Sequence, residues 1–313
     1  MCIVAAAKVC LKRKSFVVYG CTAIGAGPVP RVKSRTFDLH ALIPTLSNHP
    51  SFTVMDQGVR LNAHGKYVDI VAEWQLGMHG EPQSRYTMYR HIMSRDIFYA
   101  KDSREFREDL ENDGTMVVKD DLLIPQDPAT PLLEYKGSLD LDDIFIKEPP
   151  YHAYRPEDAL VRDIFFVEVS AYETLRCNPH AGICDYRGCI VVDGYVEGIV
   201  LKKYKCTLME AVDQGLQIDK NRVIDVITDA VAHLHSLGLV HNDLSPHNIM
   251  LDDNLNPVII DMETCMPETT PAIYKYGTPQ WSGNWWTSSL ANDEVALERI
   301  RLYLNGLYHP ERP

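Results

Sequence analysis

Long hydrophobic runs are missing from this sequence. No stretch approaches the ~18 consecutive apolar residues of a membrane span. The short apolar run at residues 2–7 is followed at once by Lys8 and by the basic cluster at residues 12–14. Such a run is too short for the core of a signal peptide. The sequence therefore predicts a protein with no signal peptide, no transmembrane segment and no membrane partner.

Basic residues are also scarce. The 31 Lys and Arg residues stand against 43 Asp and Glu, which gives a net charge of −12. This balance argues against a sequence-blind nucleic-acid binder, which needs a basic surface to meet the phosphates. The first 37 residues differ, since they hold seven basic residues and no acidic one. We interpret residues 1–37 as a disordered leader rather than a mitochondrial transit peptide, because they lack a clear amphipathic stripe.

Paired cysteine motifs are absent as well. Eight cysteines are scattered along the chain without a C-x-x-C pair. The group Cys177, Cys184 and Cys189 lacks a fourth ligand at the spacing of a metal site. This pattern favours free thiols in a reducing compartment, which is the cytoplasm or the nucleus.

The 313 residues allow one large domain or two small ones. The segment 125–131 contains three prolines and is the best candidate boundary. Before it, residues 67–72 are strand-like and residues 104–111 are compatible with a helix, but no chemistry can be assigned. We therefore expect a region of unknown role at residues 1–130.

After residue 131 the hydrophobic pattern becomes clearer. An apolar strand at residues 144–146 ends in Lys147, and apolar residues at helical spacing follow Pro156. Two strands at residues 189–192 and 196–201 come next, and then a helix runs from about residue 221 to Gly238. Residues 249–251 and 258–260 are typical of a hairpin. Strands first and helices later predict an α+β fold with two lobes.

The strongest chemical signal is the string H-N-D-L-S-P-H-N at residues 241–248, followed across the hairpin by Asp261. The hairpin returns the chain, so the Asp261 carboxylate can lie beside the Asn248 amide. Carboxylate and amide oxygens suit Mg²⁺, which keeps phosphate oxygens as further ligands. Asp243 can then accept a proton from an attacking hydroxyl. This combination is typical of a phosphoryl-transfer site.

These residues resemble the protein-kinase-like superfamily, whose catalytic loop reads H-x-D-x-x-x-x-N. The resemblance implies that Asp243 is the catalytic base and that Asn248 and Asp261 bind Mg²⁺. Lys147 then corresponds to the lysine that holds the ATP phosphates. Glu168 lies within the apolar stripe of the following helix, where a carboxylate is costly unless it is paired. We expect it to pair with Lys147, while an exposed lysine and a surface glutamate are the simpler alternative.

The resemblance extends to the strand around residues 198–202 and to the C-terminal part. Leu201 matches the region of the gatekeeper, and Lys203 and Tyr204 match the hinge whose backbone binds adenine; an ordinary edge strand is the alternative. The string Y-G-T-P at residues 276–279 is similar to the end of an activation segment. Asp293 matches the buried aspartate that opens the large helix of the C-lobe and bonds the catalytic loop.

Several positions depart from the family pattern. Asn242 replaces the usual arginine, D-F-G reads D-M-E at residues 261–263, and no A-P-E triplet follows residue 279. Glu263 is expected to face solvent rather than a metal. No G-x-G-x-x-G precedes Lys147, and Gly137 is left as the only turn between two short strands. Nine residues follow Leu304, so we expect a truncated C-lobe.

Three hypotheses remain open. The first is an ATP- and Mg²⁺-dependent enzyme that phosphorylates protein Ser/Thr hydroxyls, resembling compact kinase-like proteins of fungi. The second is a small-molecule kinase, because the loop is also similar to the H-G-D-L-x-P-x-N loop of aminoglycoside and choline phosphotransferases. The third is a pseudokinase that only binds ligands. In all three, an N-lobe is expected at residues 131–204 and a C-lobe at residues 205–313.

Overall fold

The computed structural model describes residues 119–310 apart from 140–141, 155–158, 271–276, 279 and 282–285. Before residue 119 it describes Asp96 and the strands named below. The chain divides into two compact units, residues 1–119 with 312–313, and residues 120–311. No helix in the described part of the chain is long and apolar enough to span a bilayer.

The first unit contains antiparallel β-structure. Strands β1 (Val9–Lys12) and β2 (Ser15–Val18) pair with each other. A five-stranded sheet follows in chain order: β3 (Thr53–Asp56), β4 (Tyr67–Leu76), β5 (Pro82–His91), β6 (Ile97–Ala100) and β7 (Thr115–Val117). The strand predicted at residues 67–72 is therefore confirmed. The predicted helix at residues 104–111 lies outside the described residues, as does most of the predicted leader at residues 1–37 apart from β1 and β2.

The second unit begins with the short helix α1 (Lys119–Leu122) and a four-stranded antiparallel sheet. Its strands are β8 (Ile124–Pro125), β9 (Ile144–Lys147), β10 (Tyr186–Val192) and β11 (Tyr195–Lys202). β11 is central, because β10 pairs with one edge and both β8 and β9 pair with the other. Asp193 and Gly194 join β10 to β11 with φ of 52° and 81°. Two left-handed residues form the tight turn that suits twisted hairpins.

Helix α2 (Leu160–Cys177) confirms the helix predicted from apolar spacing. Ile164, Ala171 and Leu175 are buried along one side together with Glu168, because positions three and four residues apart share a helix face. Glu168 lies within this stripe and is fully buried. The buried face of this amphipathic helix therefore includes the Glu168 carboxylate, which lies in the interior of the unit.

The remaining elements form the helical part of the second unit. They are β12 (Cys206–Thr207), α3 (Leu208–Asp213), α4 (Lys220–Ser236), β13 (Leu239–Val240), β14 (Ile249–Leu251), β15 (Pro257–Ile259), β16 (Met266–Pro267) and α5 (Leu290–Leu304). The Asp219 side chain caps α4 by accepting from the Arg222 N–H. Gly238, with φ of 73°, follows the end of α4. The second unit thus combines antiparallel sheets with helices around one core. This combination confirms the predicted α+β, kinase-like fold.

The hairpin β14–β15 positions two predicted site residues. Its register places Ile249 opposite Ile259, and the Ile260 N–H donates to the Asn248 carbonyl at 3.0 Å. Asn248 and Asp261 therefore stand at the same open end of the hairpin. The expected boundary between lobes at residues 204–205 stays a prediction, although Ile124 pairs with β11 and thus joins the sheet from before residue 131.

The described cysteine side chains are free thiols, as the sequence predicts. Cys184 and Cys189 are buried, and burial raises the pKa of these thiols to about 12 and about 11. Such thiols stay protonated and unreactive near neutral pH. Cys2, Cys10 and Cys21 lie where no side chain is described.

Candidate active site

The ammonium group of Lys147 is the centre of an ionic cluster. Its Nζ lies 2.8 Å from Oε1 of Glu168 and 2.9 Å from Oδ1 of Asp261. Lys147 comes from the end of β9, Glu168 from the middle of α2 and Asp261 from the residues after β15. The predicted pairing of Lys147 with Glu168 is confirmed, and three distant parts of the sequence meet at one atom.

Burial and charge oppose each other in this cluster. Burial disfavours the charged form of Lys147, but the carboxylates of Asp261 and Glu168 outweigh it and raise the pKa of the ammonium group. Burial also raises the pKa of Glu168 to about 7, since the charge of Lys147 offsets only part of the desolvation. Glu168 Oε2 is buried and has no hydrogen-bond partner among the described residues. Two carboxyl groups thus share the one ammonium group of Lys147.

Asp261 begins a change of chain direction. Its backbone is left-handed, with φ of 67° and ψ of 76°, and it precedes the 3-10 turn Met262–Thr264. The Met262 N–H donates to Oε1 of Glu168 at 3.2 Å, and the Met262 side chain is fully buried. An aspartate tolerates this backbone region better than a bulky residue does. The turn thus fixes Asp261 beside both Lys147 and helix α2.

The loop at residues 241–248 holds the two other predicted polar residues. The Asn248 Nδ2 donates to the backbone carbonyl of Asp243 at 2.8 Å, which closes the loop on itself. Asp243 is 3% exposed, and its Oδ1 accepts a hydrogen bond from the Thr278 N–H. His241 supports the loop, because its Nε2 contacts the Ile260 carbonyl at 3.0 Å. The loop therefore presents Asp243 in a fixed position next to residues 277–278.

Asp293 anchors this loop from helix α5, as the sequence predicts. Its carboxylate accepts the backbone N–H groups of His241 at 2.9 Å and Asn242 at 2.8 Å, and it contacts Nε2 of His235 at 2.9 Å. Asp293 is fully buried. A buried carboxylate that accepts several hydrogen bonds holds its donors strongly.

Asn242 occupies the place of the usual arginine. It is left-handed, with φ of 65°, and its side chain is almost fully buried. Its Nδ2 donates to the carbonyl of Val240 at 3.0 Å and of Thr264 at 2.9 Å, and its Oδ1 accepts from Asn292 at 2.8 Å. Asn242 is therefore a structural link between the loop and helix α5.

Comparison with known proteins agrees with this arrangement. A family model described as the RIO domain matches residues 182–276. The probable serine/threonine-protein kinase FMP48 of Saccharomyces cerevisiae is 29% identical over 117 residues, which are 34% of this chain and 31% of that protein. The serine/threonine-protein kinase PrkC of Bacillus subtilis is 26% identical over 117 residues, covering 37% of this chain and 17% of its own length. Over these residues the chain is similar to members of the protein-kinase-like superfamily.

A third kinase relative is similar over a shorter segment. The serine/threonine-protein kinase US3 homolog of Gallid herpesvirus 2 is 32% identical over 96 residues, which are 29% of this chain and 23% of the relative. The chain thus spans less than a third of the length of these curated relatives. The matches cover about a third of this chain.

Glu263 corrects one expectation from the sequence. It was expected to face solvent, but its side chain is 7% exposed and its Oε1 lies 3.0 Å from Nζ of Lys147. The 3-10 turn after Asp261 brings it back to the cluster while Met262 packs into the core. From the sequence alone, a charged residue in a turn is expected to be exposed to solvent. Glu263 is buried instead, because it contacts Lys147 at the end of β9.

The proposed hinge lies at the end of β11. Leu201 is buried and stands opposite Phe145 of β9. The Lys203 N–H donates to the Asp143 carbonyl at 3.1 Å, and the Tyr204 hydroxyl accepts from the Asp185 N–H at 3.1 Å. These residues therefore lie beside the sheet that carries Lys147, and the Lys203 N–H is already hydrogen-bonded to Asp143.

Phe145 is a residue that sequence reasoning missed. It is 53% exposed and lies two residues before Lys147 on β9. Because side chains alternate along a strand, Phe145 and Lys147 stand on the same face. The available signal in the sequence was an aromatic residue two positions before the lysine that ends an apolar strand.

The segment after residue 276 is held by helix α5. The Arg299 Nη1 donates to the carbonyls of Trp281 at 2.8 Å and Gln280 at 3.2 Å. The Trp281 ring is buried and meets the ring of Tyr303 edge-on at 5.2 Å. The Trp281 N–H donates to the Thr278 carbonyl at 3.1 Å. This chain lacks the A-P-E triplet after residue 279. Its segment is instead held by Arg299 and Trp281, and the Trp281 N–H bonds to Thr278, whose own N–H bonds to Asp243. Tyr276 and Pro279 lie outside the described residues.

The glycine-poor segment before Lys147 has a different arrangement from the one expected. Gly137 lies at a bend, and the Tyr135 hydroxyl donates to the Ser138 carbonyl at 2.8 Å. Glu134 forms an isolated parallel bridge with Cys189. The expected pair of short strands around Gly137 is therefore not present in the described part of this segment.

A cavity of about 710 Å³ lies away from the ionic cluster. It is bounded by the end of α2, the start of α4, the end of β11 and the β14–β15 turn, with Arg176, Lys202 and Arg222 among its lining residues. Neither Asp243 nor Asp261 lines it. It is therefore separate from the candidate active site.

The donor set of the site fits a hard divalent cation. Asn248, Asp261 and Glu263 offer only oxygen as ligand atoms, which Mg²⁺ prefers. The ligand atoms of Glu168, Asp261 and Glu263 lie within 4.8 Å of one another. Glu168 Oε2 is buried and has no hydrogen-bond partner in the described part of the chain. These residues could hold the magnesium ion that a protein-kinase-like fold implies.

Proposed function

We propose that this chain is an ATP- and Mg²⁺-dependent phosphotransferase that transfers the γ-phosphate to a hydroxyl group. The observation that carries the proposal is the contact of Lys147 with both Glu168 and Asp261, at 2.8 and 2.9 Å. An ammonium group fixed by a buried carboxylate, beside a second carboxylate able to bind metal, suits the phosphates of a nucleotide. The serine/threonine-protein kinases among its relatives favour protein Ser/Thr hydroxyls as acceptor.

Each residue has a defined part in this proposal. Lys147 binds the α- and β-phosphates while Glu168 orients it. Asn248 and Asp261 hold Mg²⁺, which supplies neutralisation of phosphate charge when it is bound. Asp243 accepts the hydroxyl proton, and the Thr278 N–H and the Asn248 amide keep it in place. Positioning and charge stabilisation account for most of the catalysis in such sites.

The adenine is proposed to lie along the end of β11. Leu201 supplies an apolar wall, and Lys203 and Tyr204 supply backbone groups. Because the Lys203 N–H already donates to Asp143, its carbonyl oxygen is the better candidate for a contact with the base. Phe145 stands on the same face of the sheet as Lys147 and offers an aromatic surface.

A small-molecule hydroxyl is the second candidate acceptor. Its support is Ser245, which stands two residues after Asp243, where the resemblance to protein kinases implies a lysine. Residue 245 is a serine and has no cationic side chain to meet the γ-phosphate. It is also fully buried. The H-x-D-L-S-P-H-N loop is in this respect closer to the small-molecule phosphotransferases.

Calorimetric titration of the full chain with Mg²⁺-ATP tests the proposal, together with a phosphate-transfer assay on the same sample. Asp261→Asn should weaken Mg²⁺-ATP binding at least tenfold, because it removes a metal carboxylate. Asp253→Asn is the matched control, since Asp253 is exposed in the turn of the same hairpin. Equal affinity in both variants would contradict the site assignment. Binding without any phosphate transfer or hydrolysis would support the pseudokinase instead.

A further inference from the structure

Gln280 has a backbone conformation that its own side chain does not explain. Its φ is 74°, in the left-handed region that residues other than glycine rarely adopt. Gln280 is exposed, so burial of this residue does not hold its backbone in place. A backbone in such a region persists where the surrounding structure fixes it. Contacts from other parts of the chain therefore hold the backbone of Gln280.

Two side chains, one on helix α5 and one after it, hold the Gln280 carbonyl. The Arg299 Nη1 donates to this carbonyl at 3.2 Å, and the Tyr308 hydroxyl donates to it as well. The Tyr308 ring also meets the ring of Trp281 edge-on at 5.5 Å, and Trp281 is buried. Residues 280–281 are thus fastened by both a hydrogen bond and an aromatic contact from the same tyrosine.

The end of helix α5 brings Tyr308 into this position. The chain turns at Gly306, which has a φ of 71°, and the Leu307 N–H donates to the Leu302 carbonyl at 2.8 Å. A left-handed glycine together with this hydrogen bond is typical of the Schellman motif, which ends a helix. Tyr308 comes two residues after the glycine and reaches Gln280, which is 28 positions earlier in the sequence.

The fastened residues lead directly to the proposed base. The Trp281 N–H donates to the Thr278 carbonyl at 3.1 Å, and the Thr278 N–H donates to Oδ1 of Asp243. A displacement of residues 278–281 would therefore change the orientation of the Asp243 carboxylate. Lys147 and Asp261, which are proposed to bind the nucleotide and its metal, come from other elements of the fold, β9 and the turn after β15.

We propose that Tyr308 is a positioning residue of the phosphotransfer site, which sets the orientation of Asp243 through residues 278–281. The inference rests on the proposed function, and it gives a part in that function to a residue outside the motifs that resemble kinases. Tyr308 acts on the base and not on the nucleotide. Its hydroxyl therefore influences the rate of phosphate transfer, because small displacements of a catalytic group reduce rates, and leaves the affinity for Mg²⁺-ATP unchanged.

Amide hydrogen exchange of the full chain, followed by mass spectrometry, tests the proposal together with steady-state ATP turnover. Tyr308→Phe keeps the ring and removes only the hydroxyl, so the fold should persist. We expect exchange in residues 277–281 to accelerate and kcat to fall, each roughly fivefold, which is the effect of losing one neutral hydrogen bond. KM for Mg²⁺-ATP should stay unchanged. Tyr195→Phe is the matched control, because the Tyr195 hydroxyl donates to Asp120 at 2.8 Å from strand β11, and it should leave all three values unchanged.

The outcomes separate this inference from the function on which it rests. Equal exchange in the parent and Tyr308→Phe would overturn the inference. So would faster exchange in residues 277–281 with an unchanged kcat, because Tyr308 would then have a structural role only. In both cases ATP turnover by the parent would leave the phosphotransferase function standing. A parent chain that neither binds Mg²⁺-ATP nor turns it over would overturn the function and this inference together.

Discussion

The backbone N–H of Thr278 donates a hydrogen bond to Oδ1 of Asp243. This contact joins the catalytic loop to a segment that is itself fastened to helix α5 through Trp281 and Arg299. The position of the proposed base therefore depends on a side chain that is remote from the phosphates. The hydrogen bond from Thr278 also orients one carboxylate oxygen of Asp243. This orientation fixes the direction in which the other oxygen can accept a proton.

Arg299→Met should lower the maximal rate of ATP turnover roughly tenfold while leaving the affinity for Mg²⁺-ATP unchanged. Arg299 acts through residues 278–281 and not on the nucleotide, and small displacements of a catalytic group reduce rates strongly. Steady-state kinetics checks this split between kcat and KM. Arg301→Met on the same helix removes only an exposed pair with Glu298 and should have no effect. A change in ATP affinity alone would contradict the role of Arg299 as a positioning residue.

Asp293→Asn should destabilise the chain by about 2–4 kcal/mol, because it weakens charge-assisted hydrogen bonds to two buried backbone donors. The donors are the N–H groups of His241 and Asn242. Urea denaturation followed by circular dichroism measures the loss. Glu294→Gln is the control, since this neighbouring residue is exposed on the same helix. Equal midpoints for the two variants would show that Asp293 does not hold the loop.

Stability should depend on pH through Glu168. Burial raises the pKa of Glu168 to about 7 in the folded state, whereas an unfolded glutamate titrates near pH 4.3. Between about pH 4.5 and pH 7 the folded state binds more protons, so the unfolding free energy falls as the pH rises, by about 1–3 kcal/mol. The measurement is chemical denaturation across this range in metal-free buffer. Glu168→Gln should flatten the slope, and an unchanged slope would refute the assignment to Glu168.

Phe145→Ala should weaken Mg²⁺-ATP binding roughly fivefold or more, because stacking of a base on an aromatic side chain contributes ~1–3 kcal/mol. Phe145 is exposed on the face of β9 that carries Lys147. Isothermal titration with Mg²⁺-ATP and with Mg²⁺-pyrophosphate separates base binding from phosphate binding. Phe166→Ala is a matched control, since Phe166 is equally exposed on helix α2. Loss of pyrophosphate affinity in Phe145→Ala would contradict a role at the base.

Local pattern was sufficient to predict the elements that carry the site. The strand ending in Lys147, the helix with Glu168 in its apolar stripe and the hairpin before Asp261 each have a clear periodicity, and the structure contains all three. The fold of the second unit follows from these signals, because strand and helix periods differ clearly.

Long-range contacts could not be predicted in this way. The approach of Glu263 to Lys147 depends on how the turn after β15 packs against α2 and β9. The hydrogen bond of the Lys203 N–H depends on Asp143, which lies in the turn before β9. In the first unit only residues 67–72 indicated a strand of the five-stranded sheet. Its other strands lack a strong alternating pattern, and their pairing depends on partners distant in sequence.

The most direct test of the central claim compares Mg²⁺-ATP binding and ATP turnover in the parent chain and in Asp243→Asn. The account predicts that the variant binds Mg²⁺-ATP with the affinity of the parent and loses at least a hundredfold in turnover. The result follows because Asp243 accepts the hydroxyl proton, while Lys147 and Asp261 bind the nucleotide and its metal. Turnover by Asp243→Asn at the rate of the parent would contradict the proposed phosphotransferase site.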